Sequence, residues 1–232
     1  MQIKVFADGA DLDAILELAA DPMVRGFTTN PTLMRKAGIE DYEGFARKVL
    51  DHVTDRPISF EVCADDFDDM RRQAHRLSSW GHNVYVKIPV TNTEGTSSRP
   101  LIADLTADGV HLNVTGILTL AQVREVTEPL SQSSGALVSV FAGRIADTGR
   151  DPVPLMAAAV ELLRSYPNLE LLWASPREVL NVCQAESIGC HIITVTHDLL
   201  KKMGGLGRSL EEVSLDTVRM FYRDAVDAGY LL

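Results

Sequence analysis

The sequence predicts an α/β fold, a (β/α)8 TIM barrel with an additional C-terminal helix, formed by a single domain over residues 1–232. Eight short apolar runs rich in β-branched residues alternate with segments of helical periodicity. The length of 232 residues suits one such barrel. Nearly every apolar run also contributes a polar residue close to its end, where barrel enzymes carry their chemistry.

The predicted strands lie near residues 3–7, 26–30, 58–63, 84–90, 111–117, 136–142, 170–175 and 190–196. Helices are predicted over 11–20, 41–53, 66–80, 119–131, 152–165, 176–188 and 209–228. Asp151-Pro152 and Ser175-Pro176 each place a capping residue before a proline, which predicts a helix start. Strict alternation implies parallel strands joined by right-handed crossovers, and eight units close into a barrel. A doubly wound open sheet is the rival, but it usually has fewer strands and a Gly-rich first turn.

The composition excludes several classes of protein. The formal net charge is −10, so general nucleic-acid binding, which relies on excess Lys and Arg, is not expected. The chain opens with no secretory signal pattern, and no apolar run reaches the ~18–20 residues of a membrane helix, so no membrane partner is expected. An odd and sparse set of cysteines, Cys63, Cys183 and Cys190, fits reduced thiols in the cytoplasm.

A metal site is one alternative for the C-terminal part of the chain. Cys183, Cys190, His191 and His197 are close in sequence, and Cys and His are zinc ligands. Their spacing lacks the C-x2-C pair of structural zinc sites, and Cys190 begins a strand at the face away from the predicted site. The pattern therefore disfavours a metal.

Lys87 is the candidate nucleophile. In VYVKIPV alternate residues point to opposite faces, which places Lys87 on the same face as Tyr85 and Pro89. An ammonium group is costly to bury among apolar neighbours, so we expect the free amine to be available to attack a ketone. A lysine that extends to solvent at the sheet end is the alternative, and the polar residues on the other strands disfavour it.

Glu61 and Asp8 are the candidate carboxylates. One would shuttle protons during Schiff-base formation through a water held by a hydroxyl such as Thr115, and the other would take a hydroxyl proton as a carbon–carbon bond breaks. The alternatives are a turn or N-cap role for Asp8 and an exposed strand position for Glu61. Arg144 and Arg177 follow strand ends and are candidate phosphate ligands, with Arg177 at a predicted helix start. Surface salt bridges are the alternative for both.

Seven segments in chain order then point to a known family. FADGA, GFTTNPTL, SFEV, VKIPVTNTEG, LNVT, SVFAGRIAD and WASPRE stand at the strand ends where transaldolases carry their motifs. The chain resembles this family from about residue 3 to residue 200. Its length resembles the short subfamily that includes the fructose-6-phosphate aldolases.

This resemblance implies a transaldolase that moves a three-carbon dihydroxyacetone unit from a ketose phosphate to an aldose acceptor through a Schiff base on Lys87. Asp8, Glu61 and Thr115 would complete the catalytic set, and Arg144 and Arg177 would bind phosphate. The implied substrate-binding residues are Thr29, Asn30, Asn113, Ser139, Phe141 and Ser175. No metal or organic cofactor is implied. The short members form pentamers or decamers, with the C-terminal helix on a neighbour, although that helix equally suits closing its own barrel.

Two positions separate the branches of the family. Glu61 and Phe141 are the residues that transaldolases usually have at these two positions, whereas the aldolase branch tends to have Gln and Tyr. Without a Tyr hydroxyl, water is less well placed to hydrolyse or protonate the three-carbon enamine, which favours transfer. The alternatives are an aldolase that releases dihydroxyacetone, another lysine-dependent aldolase, and a non-catalytic sugar-phosphate-binding barrel. Departures from the family pattern at Gly9, Gly116 and Pro176 leave the acceptor open.

Overall fold

Eight parallel strands close into a barrel in the computed structural model, which describes residues 2–230. Each strand pairs with its neighbours in chain order, and β1 pairs with β8 to close the sheet. The strands are β1 (Lys4–Asp8), β2 (Val24–Thr28), β3 (Ile58–Glu61), β4 (Val84–Pro89), β5 (Leu112–Ile117), β6 (Ala136–Val140), β7 (Leu169–Trp173) and β8 (Ile192–Thr196). The predicted (β/α)8 barrel is confirmed.

Helices surround the sheet and follow the strands along the chain. They are α1 (Leu12–Ala19), α2 (Pro31–Lys36), α3 (Tyr42–Leu50), α4 (Phe67–Ser78), α5 (Arg99–Ala107), α6 (Leu120–Leu130), α7 (Ala142–Ala146), α8 (Val153–Leu163), α9 (Leu180–Ser187), α10 (His197–Met203) and α11 (Leu210–Asp227). Every predicted helix is present. The helices α2, α5, α7 and α10 lie outside the predicted set. Three of them, α2, α7 and α10, have at most seven residues, too short for a clear 3.6-residue period.

Side-chain caps define where several helices begin. The carboxylates of Asp11, Asp41 and Asp66 accept hydrogen bonds from N–H groups of the first turns of α1, α3 and α4. Thr119 and Gln122 form a reciprocal capping box at the start of α6. These caps satisfy N–H groups that have no partner within the helix.

One of the two predicted proline-linked helix starts is wrong. The Asp151 carboxylate accepts a hydrogen bond from the N–H of Val153 at 2.9 Å, at the start of α8 as predicted. After Ser175, however, α9 begins only at Leu180. The Asn181 side chain accepts the N–H of Arg177 at 2.7 Å, so this segment forms a turn before the helix.

Side chains fill the interior of the barrel. The residues that flank Phe6 in β1 belong to the larger core between sheet and helices, whereas Phe6 belongs to a separate buried cluster that consists of Phe6, Leu137, Leu172, Ala174 and Ile192. Gly26 makes room for the Phe6 ring, because a Cβ at this position would lie 2.5 Å from Cζ of Phe6.

The C-terminal helix α11 buries none of its residues. Its large apolar side chains include Phe221 and Tyr222, which are 62% and 72% exposed. Within residues 2–230, no helix combines the length and the apolar character needed to cross a membrane.

Candidate active site

A cavity of about 500 Å³ opens at the carboxyl ends of the strands. All the site residues predicted from the sequence line it except Thr29 and Asn113. The predicted residues that line it are Asp8, Asn30, Glu61, Lys87, Thr115, Ser139, Phe141, Arg144, Ser175 and Arg177. The strand-end positions of a parallel barrel meet at one face, which explains why residues so distant in sequence come together.

The amine of Lys87 lies inside the barrel mouth, and only 5% of the residue is exposed. Its Nζ lies 3.0 Å from Oε2 of Glu61 and donates a hydrogen bond to the carbonyl oxygen of Thr29 at 2.9 Å. Lys87 and Glu61 are paired across β4 and β3, which sets their side chains side by side. The lysine therefore does not extend to solvent, and a carboxylate stands within proton-transfer distance of its amine.

Asp8 ends β1, and its carboxylate lies at the end of a chain of hydrogen-bonded threonine hydroxyls. Thr28 donates a hydrogen bond to Oδ1 of Asp8 at 2.8 Å, and the hydroxyls of Thr28 and Thr194 lie 2.6 Å apart. Because the one proton of Thr28 goes to Asp8, Thr194 must donate to Thr28. Burial raises the pKa of Asp8 above its ordinary value, against the opposing effects of the Lys87 charge and the Thr28 bond. A carboxyl group with a raised pKa binds a proton more readily than an exposed one, which suits it to proton transfer.

Thr115 presents a hydroxyl to the cavity from β5. The residue is 2% exposed, and among residues 2–230 its Oγ1 has no hydrogen-bond partner. Buried hydroxyls almost always have a partner, and this one lines the cavity. The hydroxyl is therefore suited to bind a water molecule or a substrate oxygen.

Thr29 and Asn113 are fully buried and do not line the cavity. The Asn113 amide donates to Oγ of Ser59 at 2.9 Å and accepts from Oγ of Ser139 at 2.6 Å. Thr29 donates through Oγ1 to the carbonyl of Ser59 at 2.9 Å, and its own carbonyl accepts from Lys87. Both residues thus orient side chains that do line the cavity.

Asn30 and Ser175 stand at special backbone positions. Oδ1 of Asn30 accepts the N–H of Leu33 at 2.9 Å as the cap of α2, which leaves its amide N–H groups for a ligand. Ser175 has φ of 61°, in the left-handed region that non-glycine residues rarely adopt. Gly143 of α7 permits this turn, because a Cβ there would lie 1.5 Å from the carbonyl oxygen of Ser175.

The two arginines at the mouth are held in different ways. The Arg177 guanidinium donates through Nε to Asp147 at 2.9 Å, contacts the second Asp147 oxygen through Nη2, and donates through Nη1 to Ser175 at 3.1 Å. These hydrogen bonds hold the pKa of Asp147 below its ordinary value. The Arg144 guanidinium lies 5.6 Å from the centre of the Phe141 ring. Arg144 forms no salt bridge within the described part of the chain, so all its N–H donors remain for an anion.

The predicted contribution of a helix N-terminus to anion binding at Arg177 is wrong. Arg177 precedes α9 by three residues, and the side chain of Asn181 accepts the N–H groups of Arg177 and Glu178 at 2.7 and 3.2 Å. Those N–H groups are therefore occupied, and only the guanidinium of Arg177 is left to bind a phosphate.

The residues considered as zinc ligands do not assemble. Cys183 is exposed, Cys190 is buried, and Nδ1 of His191 accepts the N–H of Leu171 at 3.0 Å. Nowhere in residues 2–230 do three or more His, Cys, Asp or Glu side chains form a group able to hold a metal ion.

Comparison with known proteins decides the family. Residues 5–230 match the family described as Transaldolase/Fructose-6-phosphate aldolase. The chain belongs to this family. A probable transaldolase of a Thermoanaerobacter species is 35% identical over 203 residues, which cover 87% of this chain and 89% of that protein. A probable transaldolase of Dehalococcoides mccartyi is 33% identical, with 87% and 90% covered.

Solved structures share the fold of this transaldolase/fructose-6-phosphate aldolase family member. The structure of a 3-hexulose-6-phosphate synthase gives a TM-score of 0.59 at 17% identity and covers 84% of this chain and 90% of its own. A mandelate oxidase variant gives 0.57 at 16% identity, with 89% and 67% covered. At such identities the likeness shows the barrel alone. Membership of the family makes the chain an aldolase-type enzyme.

Thr28, Thr194 and Lys36 are among the residues that line the cavity of this family member and that sequence reasoning missed. Thr28 is paired with Asp8 across β2 and β1, so the alternation of β2 was a signal that could have found it. Thr194 could have been found only from its hydroxyl contact with Thr28. Lys36 ends α2, a helix outside the predicted set, and its sequence carries no signal for the site.

Proposed function

We propose that this family member is a transaldolase that transfers a dihydroxyacetone unit from a ketose phosphate to an aldose phosphate through a Schiff base on Lys87. The observation that carries the proposal is the 3.0 Å contact between the buried Lys87 amine and Glu61 in the cavity. An amine can lose its proton to an adjacent carboxylate and then attack a ketone. The nearby carboxyl group of Asp8 and the unpartnered hydroxyl of Thr115 supply the other functions that the reaction needs.

The first half of the reaction forms an iminium ion. Lys87 passes a proton to Glu61, and the free amine adds to C2 of the ketose. The oxygen of this adduct then takes one proton from the nitrogen and a second from Glu61, through a water held by Thr115, and leaves as water. One ammonium ion and one ketone thus become one iminium ion and one water molecule.

The second half breaks and remakes a carbon–carbon bond. Asp8 takes the proton of the C4 hydroxyl, the C3–C4 electron pair moves to the iminium nitrogen, and an aldehyde leaves. The remaining enamine adds to the acceptor aldehyde, and Asp8 returns the proton to the new hydroxyl. Water then hydrolyses the iminium ion and frees Lys87. Arg144 and Arg177 bind the phosphate of donor and acceptor.

Borohydride trapping tests this function. Incubation with fructose 6-phosphate and sodium borohydride should leave a reduced three-carbon adduct on Lys87, which peptide mass spectrometry identifies. Lys87→Met should give no adduct and no transfer. A protein that only binds sugar phosphates would give no adduct in the parent, and a different aldolase would leave a fragment of another mass. An acceptor screen with the donor fixed then identifies the physiological aldehyde.

Phe141 supports transfer over release of free dihydroxyacetone. Its ring lines the cavity, offers no hydroxyl and lies beside Arg144. Phe141→Tyr should raise dihydroxyacetone release relative to transfer, because the new hydroxyl can position a water molecule that protonates the enamine, and the resulting iminium ion is then hydrolysed. An unchanged ratio would count against this role.

The assembly and location form a second part of the proposal. The exposed apolar side chains of α11 support a homo-oligomer, a pentamer or decamer, in which this helix packs on a neighbouring copy. Light scattering of a chain truncated before Ser209 should then show a smaller particle than the parent. The free thiols of Cys63, Cys183 and Cys190 support the reducing cytoplasm as the compartment.

A further inference from the structure

The backbone of Glu61 lacks a strand partner on one side. The N–H and C=O of Ser59 face β2, where the carbonyl of Ser59 accepts the N–H of Thr29 at 3.1 Å. Two residues on, Glu61 presents its N–H and C=O in the same direction, because alternate residues of a strand bond to the same neighbour. No β2 residue faces these groups of Glu61, because β2 ends at Thr28 and the chain continues into α2, which Asn30 caps. On the other side, β3 remains paired with β4 up to Glu61 and Lys87.

One phenol takes the place of the missing strand. The hydroxyl of Tyr42 accepts the N–H of Glu61 at 2.9 Å and donates to the carbonyl oxygen of Glu61 at 2.9 Å. Tyr42 is the first residue of α3, which the Asp41 side chain caps. The two hydrogen bonds fix both backbone groups of Glu61, and a polar group left buried without a partner is costly.

The Tyr42 ring is itself held from two sides. Its centre lies 6.3 Å from that of Phe60 and 6.1 Å from that of Trp80, and the Arg47 guanidinium lies over Trp80 at 5.6 Å. Burial raises the pKa of Tyr42 above its ordinary value, so the hydroxyl keeps the proton that it donates.

We propose that Tyr42 is a positioning residue for the reaction: by hydrogen bonding to both backbone groups of Glu61, its hydroxyl holds the Glu61 carboxylate next to the Lys87 amine. This inference rests on the proposed function for its kinetic part. Tyr42 does not line the cavity, so it acts through Glu61 and not on the substrate. A displacement of about 1 Å at a reacting group is enough to slow a reaction about 100-fold.

Tyr42→Phe removes only the oxygen and keeps the ring between Phe60 and Trp80. We expect kcat for transfer to fall about 10–100-fold, while KM for fructose 6-phosphate stays within about 2-fold because the phosphate contacts are untouched. Tyr85→Phe is the matched control. The Tyr85 side chain is half-buried on β4 and stacks on His111, away from the catalytic cavity. The kcat of Tyr85→Phe should therefore equal that of the parent.

A double-mutant cycle separates positioning from a general loss of stability. If Tyr42 acts through Glu61, Tyr42→Phe should lower kcat less than about 3-fold in a Glu61→Gln background. An equal fold-loss in both backgrounds, or a parental kcat in Tyr42→Phe, would overturn the inference.

Crystal structures of the parent and of Tyr42→Phe supply a readout that needs no activity. The distance from Nζ of Lys87 to Oε2 of Glu61, 3.0 Å in the parent, should lengthen in the variant, and an unmoved carboxylate would refute the positioning role. If borohydride trapping failed in the parent, the proposed function would fall, while this structural comparison would still decide the role of Tyr42.

Discussion

Gly143→Ala offers a direct test of how the mouth is assembled. Gly143 lies in α7 and packs against the turn after β7, where Ser175 has a φ of 61°. An alanine Cβ at this position would lie 1.5 Å from the carbonyl oxygen of Ser175 and 2.7 Å from its carbonyl carbon. Both neighbours are backbone atoms, so no side-chain rotation can relieve the overlap.

The size of the effect follows from these distances. A carbon and an oxygen that are not bonded normally approach no closer than about 3.3 Å, so one of the two segments must move by roughly 2 Å. Overpacking of this kind costs about 3 kcal/mol of unfolding free energy. For a chain of this length, about 2–4 °C of melting temperature corresponds to each kcal/mol, which gives a decrease of about 6–12 °C.

Thermal unfolding followed by circular dichroism measures this change, and KM for fructose 6-phosphate measures its effect on the mouth. KM should rise, because Ser175 accepts a hydrogen bond from Arg177 and moves with the displaced turn. Gly9→Ala is the matched control: a Cβ there meets nothing within 4 Å, so its stability should stay within about 1 kcal/mol of the parent. A melting temperature for Gly143→Ala within about 2 °C of the parent would refute the packing argument.

Three further substitutions address single contacts of the site. Thr28→Val removes a hydrogen bond that favours the charged form of Asp8, so the pKa of Asp8 should rise further and the acid limb of the pH–rate profile should move to higher pH. If the acid limb stayed in place, it would not report the titration of Asp8. Asp147→Asn loosens Arg177 and should raise KM for sugar phosphates about 10-fold, with little change in trapping of unphosphorylated dihydroxyacetone; equal losses for both would show a general defect. Thr115→Val should slow adduct formation about 100-fold in rapid-quench trapping, whereas Thr106→Val, which deletes another buried and unpartnered hydroxyl on α5, away from the cavity, should leave the rate unchanged.

The strand alternation in the sequence was sufficient to predict which side of β4 carries the amine. Lys87 is flanked by Val86 and Ile88, which belong to the core between sheet and helices, so it must face the interior of a closed sheet. The strand ends were predicted less well. β2 ends at Thr28 and not at Asn30, because the Asn30 side chain caps a helix that begins at Pro31. A short helix directly after a strand carries little periodic signal.

Contacts between distant segments lay beyond sequence reasoning. Tyr42 is 19 residues from Glu61, and Asp147 is 30 residues from Arg177, and no local pattern indicates that either pair meets. The barrel topology brings strand ends together in general, but which hydroxyl or carboxylate meets which partner depends on side-chain packing around the mouth.

The cluster of Phe6, Leu137, Leu172, Ala174 and Ile192 fills part of the barrel interior, and the cavity opens at the carboxyl ends of the strands. In the proposed reaction, the donor, the departing aldehyde and the incoming acceptor use this opening in turn, and each would bring its phosphate to Arg144 and Arg177. A transaldolase of this kind should follow a ping-pong sequence, in which an excess of either sugar inhibits by occupying the form of the enzyme that awaits the other.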